Sequence, residues 1–109
     1  GTAAEMDYRV SWSPEALEDV EAIAAYIARD SAFYAKAVTT RIIEVSRDLR
    51  QFPLAGRVVP ELRDESIREG FVYSYRLIYR VRDDVVTIAA VIHGKRMLNT
   101  LTERIKTVK

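Results

Sequence analysis

The sequence predicts an α+β fold in two layers, with element order β-α-α-β-β-β and a helical hairpin packed on one face of a mainly antiparallel sheet. Three observations carry this. A stretch of period two opens the chain, two stretches of helical period follow across a two-residue break at Asp30-Ser31, and from Ser66 onward the period returns to two. The 109 residues, 49% hydrophobic and 30% charged, suit one packed domain and exclude a disordered or low-complexity chain.

Gly1 to Glu5 have no periodicity and precede Met6, so they read as an expression remnant. The predicted domain runs from 6 to 98, and 99–109 is set apart as a basic tail. Tyr8-Arg9-Val10-Ser11-Trp12 alternates large apolar with polar residues, the mark of a half-buried strand. Ser13 then supplies a helix cap, Pro14 fits the first helical position, and Glu15, Glu18 and Asp19 lie near the positive end of the helix dipole. Leu17, Val20, Ile23, Ala24 and Ile27 form the expected apolar face. In the second helix Ala35, Val38, Ile42, Val45, Leu49 and Phe52 recur in steps of three and four until Pro53 ends the pattern. Such a seam must lie against another helix, and the short break makes the first helix its antiparallel neighbour.

Leu54-Ala55-Gly56-Arg57 reads as a turn, and Val58 to Leu62 as a loop or edge segment because Pro60 cannot donate to a ladder. A short strand is expected near Ser66 to Phe71 and a longer one from Val72 to Arg82. On the longer strand Tyr73, Tyr75, Leu77, Tyr79 and Val81 should face the helices, leaving Ser74, Arg76, Ile78, Arg80 and Arg82 on the other face. Asp83-Asp84 makes a hairpin turn. Val85 to His93 returns as a strand apolar on both sides, Val85, Thr87, Ala89 and Val91 against Val86, Ile88, Ala90 and Ile92, so it should be central and covered twice. One helical hairpin covers one face; the second needs a cover from elsewhere. Met97 to Lys109 is read as either a short helix or a mobile segment.

With no cysteine and one histidine, thiol chemistry, disulfides and zinc hydrolysis drop out, and neither metal nor cofactor is expected. No apolar run approaches the ~18 residues of a membrane span, and a cytoplasmic location is expected. Seventeen basic residues face sixteen acidic ones, but residues 1–34 carry two and seven while 35–109 carry fifteen and nine. Thirteen of the cations are arginine, which suits planar contact with carboxylate or phosphate. An acidic partner and internal pairing between the halves both account for this. Tyr75 and Tyr79 could stack on bases, although alternate strand positions favour a core role, and a lone His93 at a strand end favours a structural one. Arg76, Arg80 and Arg82 with Ile78 between them form an amphipathic face suited to an acidic and apolar peptide.

Five segments in this order resemble the ParE/RelE toxin superfamily of bacterial type II toxin–antitoxin modules: Ser13-Pro14-Glu15-Ala16, Phe52-Pro53-Leu54-Ala55-Gly56-Arg57, Ile67-Arg68-Glu69, Tyr75-Arg76-Leu77-Ile78-Tyr79-Arg80-Val81 and Val91-Ile92-His93-Gly94-Lys95-Arg96. The resemblance covers Tyr8 to Leu98 and implies a toxin held by a small antitoxin whose flexible segment wraps it. The amphipathic face of the long strand is where that antitoxin is expected, at Arg76, Ile78, Arg80 and Arg82. The RelE-like branch cuts messenger RNA on the ribosome, and for that chemistry the matching residues are Arg76 and Arg96, with His93 as a further candidate. Ile67, Arg68 and Glu69 stand where that branch carries lysines, and Thr102 where it carries a tyrosine, so a proton-transfer pair is missing. The hairpin and the Pro-Leu-Ala-Gly-Arg turn are more similar to the ParE-like branch, which implies inhibition of DNA gyrase; the candidate contact surfaces are the exposed hairpin and the basic tail from Lys95 to Lys109, with Lys95, Arg96 and Arg104 as its residues. Direct DNA binding by the chain alone is not expected, because the second helix spends its seam on packing and carries no basic cluster for a groove.

Overall fold

The structure, a computed structural model, describes residues 7–94 and 101–108. Its elements are β1 (Arg9–Trp12), α1 (Pro14–Ala28), α2 (Ala32–Asp48), β2 (Arg57–Val58), β3 (Ile67–Val72), β4 (Tyr75–Arg82), β5 (Val85–His93) and α3 (Leu101–Thr107). They form one five-stranded sheet in the order β1-β5-β4-β3-β2, antiparallel throughout except where β1 runs parallel to β5. None of the described helices is long and apolar enough to cross a membrane.

Both hairpin helices start as their sequences dictate. Ser13 Oγ accepts from the Ala16 N–H at 3.1 Å and Ser31 Oγ from the Tyr34 N–H at 3.0 Å, each relieving a donor that the first helical turn leaves orphaned. α1 and α2 bury Ala16, Ile27, Ala35, Val38 and Ile42, together with Leu49 just beyond α2, against Leu77, Tyr79, Val86, Ile88 and Val91 of the sheet. The apolar stripe of α1 keeps Val20, Ile23 and Ile27 of its expected face, with Ala16 taking the place of Leu17. Ala16, Val20, Ile23 and Ile27 form it in steps of four, three and four, and Leu17 is left half exposed at its rim. Phe52, expected at the end of the second seam, is likewise exposed, because α2 has ended and the chain has turned away.

Two strand assignments differ from the alternation. Val72 pairs with Tyr75, closing a two-residue turn on Tyr73 and Ser74, so Tyr73 leaves the core face and is exposed with φ 53°. In β5 the register against β4 slips between Ile78 and Tyr79, and Ala89 is the extra residue. Val86, Ile88 and Val91 therefore meet the hairpin while Ala89, Ala90 and Ile92 face the opposite side, so Val91 does not share a side with Ala89 as strict alternation requires.

That opposite side is covered by the chain itself. Leu101, Ile105 and Val108 bury against Ile78, Ala89 and Ala90, joined by Val59 and Ile67. The segment set apart as a tail is thus the second cover that β5 demanded.

Candidate functional site

The sheet face beneath α3 carries the arginines of β4. Arg76 is 5% exposed, and each of its three nitrogens donates to a carboxylate: Nε to Glu69 at 2.5 Å, Nη1 and Nη2 to the two oxygens of Glu61 at 3.0 and 2.9 Å. The fully buried side chain of Glu69 accepts from Arg57 Nε at 2.6 Å with its other oxygen. Two carboxylates and two guanidiniums alternate, Glu61–Arg76–Glu69–Arg57, with the short contacts expected of charge-assisted pairs. The bonds to Glu61, aided by Glu69 and opposed by burial, hold the Arg76 guanidinium protonated above its ordinary range. In return the hydrogen bonds from Arg76 pull the Glu61 carboxyl below the usual carboxylate range, with burial opposing.

Arg80 lies under α3, where Nη1 donates to the carbonyls of Ile105 at 3.3 Å and Val108 at 2.9 Å, a cation placed at the negative end of the helix. Its Nε is buried with no hydrogen-bond partner among the described residues. Ile78 was expected on an accessible surface and is 0% exposed, because Leu101, Ile105 and Val108 cover it. Arg82 is exposed at the end of β4. The four residues expected to meet an antitoxin thus lie along one strand, and α3 occupies the inner part of their face.

Arg104, expected to meet a target, projects from α3 to α1, where Nη1 and Nη2 bond the two oxygens of Asp19 at 2.6 and 3.1 Å. Asp19 Oδ2 also accepts the Val91 N–H at 3.0 Å, and Ser13 Oγ donates to the Ala89 carbonyl at 3.4 Å. These side chains serve β5 backbone beyond its last pair with β1, Trp12 to Ile88, where the ladder stops. His93 is exposed at the end of β5, its ring 5.9 Å from Tyr75 in an edge arrangement. Lys95 and Arg96 lie outside the described residues. Thr102 is exposed on α3.

The motif segments converge. The Gly56 N–H donates to the Tyr79 hydroxyl at 3.0 Å, and a Cβ at Gly56 would stand 2.5 Å from the Glu69 carbonyl oxygen and 2.6 Å from that hydroxyl. Glycine is required there by the close approach of two backbones. The turn then delivers Arg57 to Glu69, which in turn holds Arg76. The sequence marked Asp19 only as a dipole partner and Glu69 only as part of a family segment; neither they nor Glu61 were singled out as partners of an arginine. One signal was available for Glu69: it is a charged residue at the same parity as buried Ile67 on a strand.

A family model described as the ParE toxin of the type II toxin–antitoxin system parDE matches residues 10–98. Among solved structures, the chain is similar to one in the chromosomal ParDE system of P. aeruginosa, with TM-score 0.68 and 18% identity over 83% of this chain and 99% of that one. It is similar to a mutant of the E. coli toxin RelE in the free state, with TM-score 0.66 and 18% identity over 94% and 99% of the two chains. It is similar to a chain in the RelBE2 toxin–antitoxin complex of Mycobacterium tuberculosis, with TM-score 0.58 and 24% identity over 80% and 91%. No curated protein matches it. The structural likenesses show a shared fold.

Proposed function

The chain belongs to the ParE toxin family of type II toxin–antitoxin systems, and from that premise we propose that it acts by binding DNA gyrase and is neutralised in the cytoplasm by a small cognate antitoxin. The observation that supports binding over catalysis is the state of Arg76. Cleavage by a 2′-hydroxyl needs a group to take a proton and one to give it, with a cation free to meet the phosphate. The fork of Arg76 is filled by Glu61, and the position of the expected tyrosine is an exposed threonine, Thr102.

The antitoxin reading keeps Arg76, Ile78, Arg80 and Arg82, with one condition: the inner residues become reachable as α3 lifts. The unpartnered Arg80 Nε supports an occupant richer in carboxylates than α3, since a buried donor without an acceptor favours any partner that supplies one. Support for target contact comes from the tip of the hairpin, where Phe33 is 84% exposed, and from the basic segment holding Lys95, Arg96 and Arg104.

The test is purified protein assayed side by side on gyrase supercoiling and on ribosome-bound message. Blocked supercoiling with intact message supports the reading. Cleaved message that stays intact with Arg76→Ala, while gyrase is unaffected, establishes the RelE-like alternative, to which the likeness to E. coli RelE lends its weight.

A further inference from the structure

Where α1 gives way to α2, four elements bring tyrosines together. Tyr26 of α1, Tyr34 of α2, Tyr73 of the β3–β4 turn and Tyr75 of β4 line a cleft of about 380 Å³, with Asp30 at the helix junction and His93 at the end of β5. Tyr26, Tyr34 and Tyr73 are 67%, 48% and 59% exposed, more than a core role would leave them. The Tyr34 and Tyr73 rings lie 6.2 Å apart and tilted by 54°. Tyr73 is held there at φ 53°, and a bulky residue stays in that region only where its surroundings over-determine it, a pattern that gathers at binding sites. Burial above all, and then Tyr34 and Tyr26, push the Tyr75 hydroxyl above its ordinary range, so this ring enters the cleft uncharged.

The chemistry of this cleft favours a cation. Tyrosine faces attract positive charge, the exposed Asp30 carboxylate makes no ion pair among the described residues, and the described lining holds neither lysine nor arginine. Two arginines of the chain show the preference. Arg29, outside the lining, carries its guanidinium 6.0 Å over the Tyr26 ring. A second cleft of about 340 Å³, continuous with the first through Tyr26, Tyr75 and His93, ends at Asp19, which already takes the Arg104 guanidinium at 2.6 and 3.1 Å. Between the two carboxylates lie Ala22, Ile23 and Ile92. The trough is therefore apolar in the middle, filled by an arginine at one end, and aromatic with an unpaired carboxylate at the other. That pattern complements an extended segment bearing a cation beside an apolar side chain.

We propose that the tyrosine cleft binds an arginine of a basic partner segment, its guanidinium stacked among Tyr26, Tyr34 and Tyr73 and paired with Asp30, with a neighbouring apolar residue of the segment over Ala22 and Ile23. Arginine suits the site better than lysine because its plane stacks on rings while its fork meets a carboxylate. A nucleic acid fits poorly, since the described lining offers a phosphate a carboxylate and neither lysine nor arginine to neutralise it. The site uses none of the residues assigned above to the antitoxin or the target, so it stands apart from that reading.

The probe is a serine-rich peptide of about eight residues carrying a neutral fluorophore and two arginines that flank a leucine, long enough to cross both clefts. Its anisotropy should rise saturably on addition of the full chain. Tyr34→Leu keeps every charge and the helix but removes one ring, and should weaken binding about threefold; adding Asp30→Asn should bring the loss to about tenfold. The same peptide with citrulline for arginine keeps its shape without the charge and should not bind. This arm leaves the protein unaltered, so it stands whatever the substitutions do to folding. Four results would each overturn the proposal: no saturable binding, equal binding of the citrulline peptide, full affinity in Tyr34→Leu, which would leave only the acidic surface of α1 as the attraction, or displacement of the peptide by single-stranded oligothymidine. A dimer of the chain that Tyr34→Leu returns to monomer would assign the cleft to a second copy and overturn it as well.

Discussion

Glu69 sits where a carboxylate is tolerable only in company. Its side chain is wholly buried between Arg57 and Arg76, and Arg76 is itself 5% exposed. Removing one member of a buried pair leaves the other charge unmatched, so Glu69→Ala should destabilise the protein by about 3–5 kcal/mol in urea melts. A change under about 1 kcal/mol would mean that Glu61 alone satisfies Arg76. Glu61 makes a different prediction because it lies at the surface. Its carboxyl is depressed by the hydrogen bonds from Arg76, and that of Asp64 by those from Ser66. A depressed carboxyl contributes stability that is complete above its ordinary range and is lost as pH falls through the lower folded value. The denaturant midpoint should therefore drop between pH 7 and about pH 3, and Glu61→Gln should flatten part of that drop. Gly56→Ala places a methyl against the Glu69 carbonyl and should cost about 1–3 kcal/mol, measurable in the same melts.

Among elements, α2 carries the load of the first core. Ile42 is fully buried and Leu49 nearly so, against half-exposed Leu17 on α1. Replacing either Ile42 or Leu49 by Ala should cost about 2–5 kcal/mol, while Leu17→Ala should stay within about 0.5 kcal/mol. Equal losses at Ile42 and Leu17 in parallel melts would show that the helix faces are wrongly assigned. The β4–β5 pair owes its geometry to Ala89: the bulge moves Val91 into the hairpin core and lets α1 reach the freed backbone through Ser13 and Asp19. The β3–β4 turn is less comfortable, since Tyr73 holds φ 53°, a region where bulky side chains are rare. Its ring lies 6.2 Å from that of Tyr34.

At the scale of the whole molecule, the sheet is a shared floor for two cores. The hairpin roofs one and α3 roofs the other, anchored by Arg104 on Asp19 and by Arg80 on the last carbonyls of the helix. Among the described residues, the acidic first third and the basic remainder are joined by two ion pairs, Asp7–Arg50 and Asp19–Arg104, while Arg57 and Arg76 pair with carboxylates of their own part of the chain. Internal pairing between the two parts therefore accounts, among the described residues, for only part of the charge asymmetry. A chain ending at residue 98 should lose the second roof and expose Ile78, Ala89 and Ala90. It should bind a hydrophobic dye that the full chain does not, and self-associate on size exclusion. A truncated chain that stays monomeric and dye-negative would mean that α3 contributes little to the cover.

What the sequence determined by itself is what repeats locally. Period two marked the strands, steps of three and four marked the hairpin, and Ser13 and Ser31 stood at the helix starts; the order of five short segments identified the superfamily. Even the need for a second cover was legible, because β5 is apolar on both sides. The identity of that cover was not. α3 is seven residues long and amphipathic only in company, and the partners it finds at Ile78 and Asp19 are distant in the chain. The Tyr73 turn carried no glycine or asparagine to announce it, and the slip at Ala89 depends on how two strands register. Tertiary structure also decided the state of Arg76. A guanidinium on a strand looks equally ready for phosphate or carboxylate, and only the fold brings Glu61 and Glu69, fifteen and seven residues away, to close around it. Periodicity is a property of neighbours along the chain, whereas charge pairing and burial belong to neighbours in space.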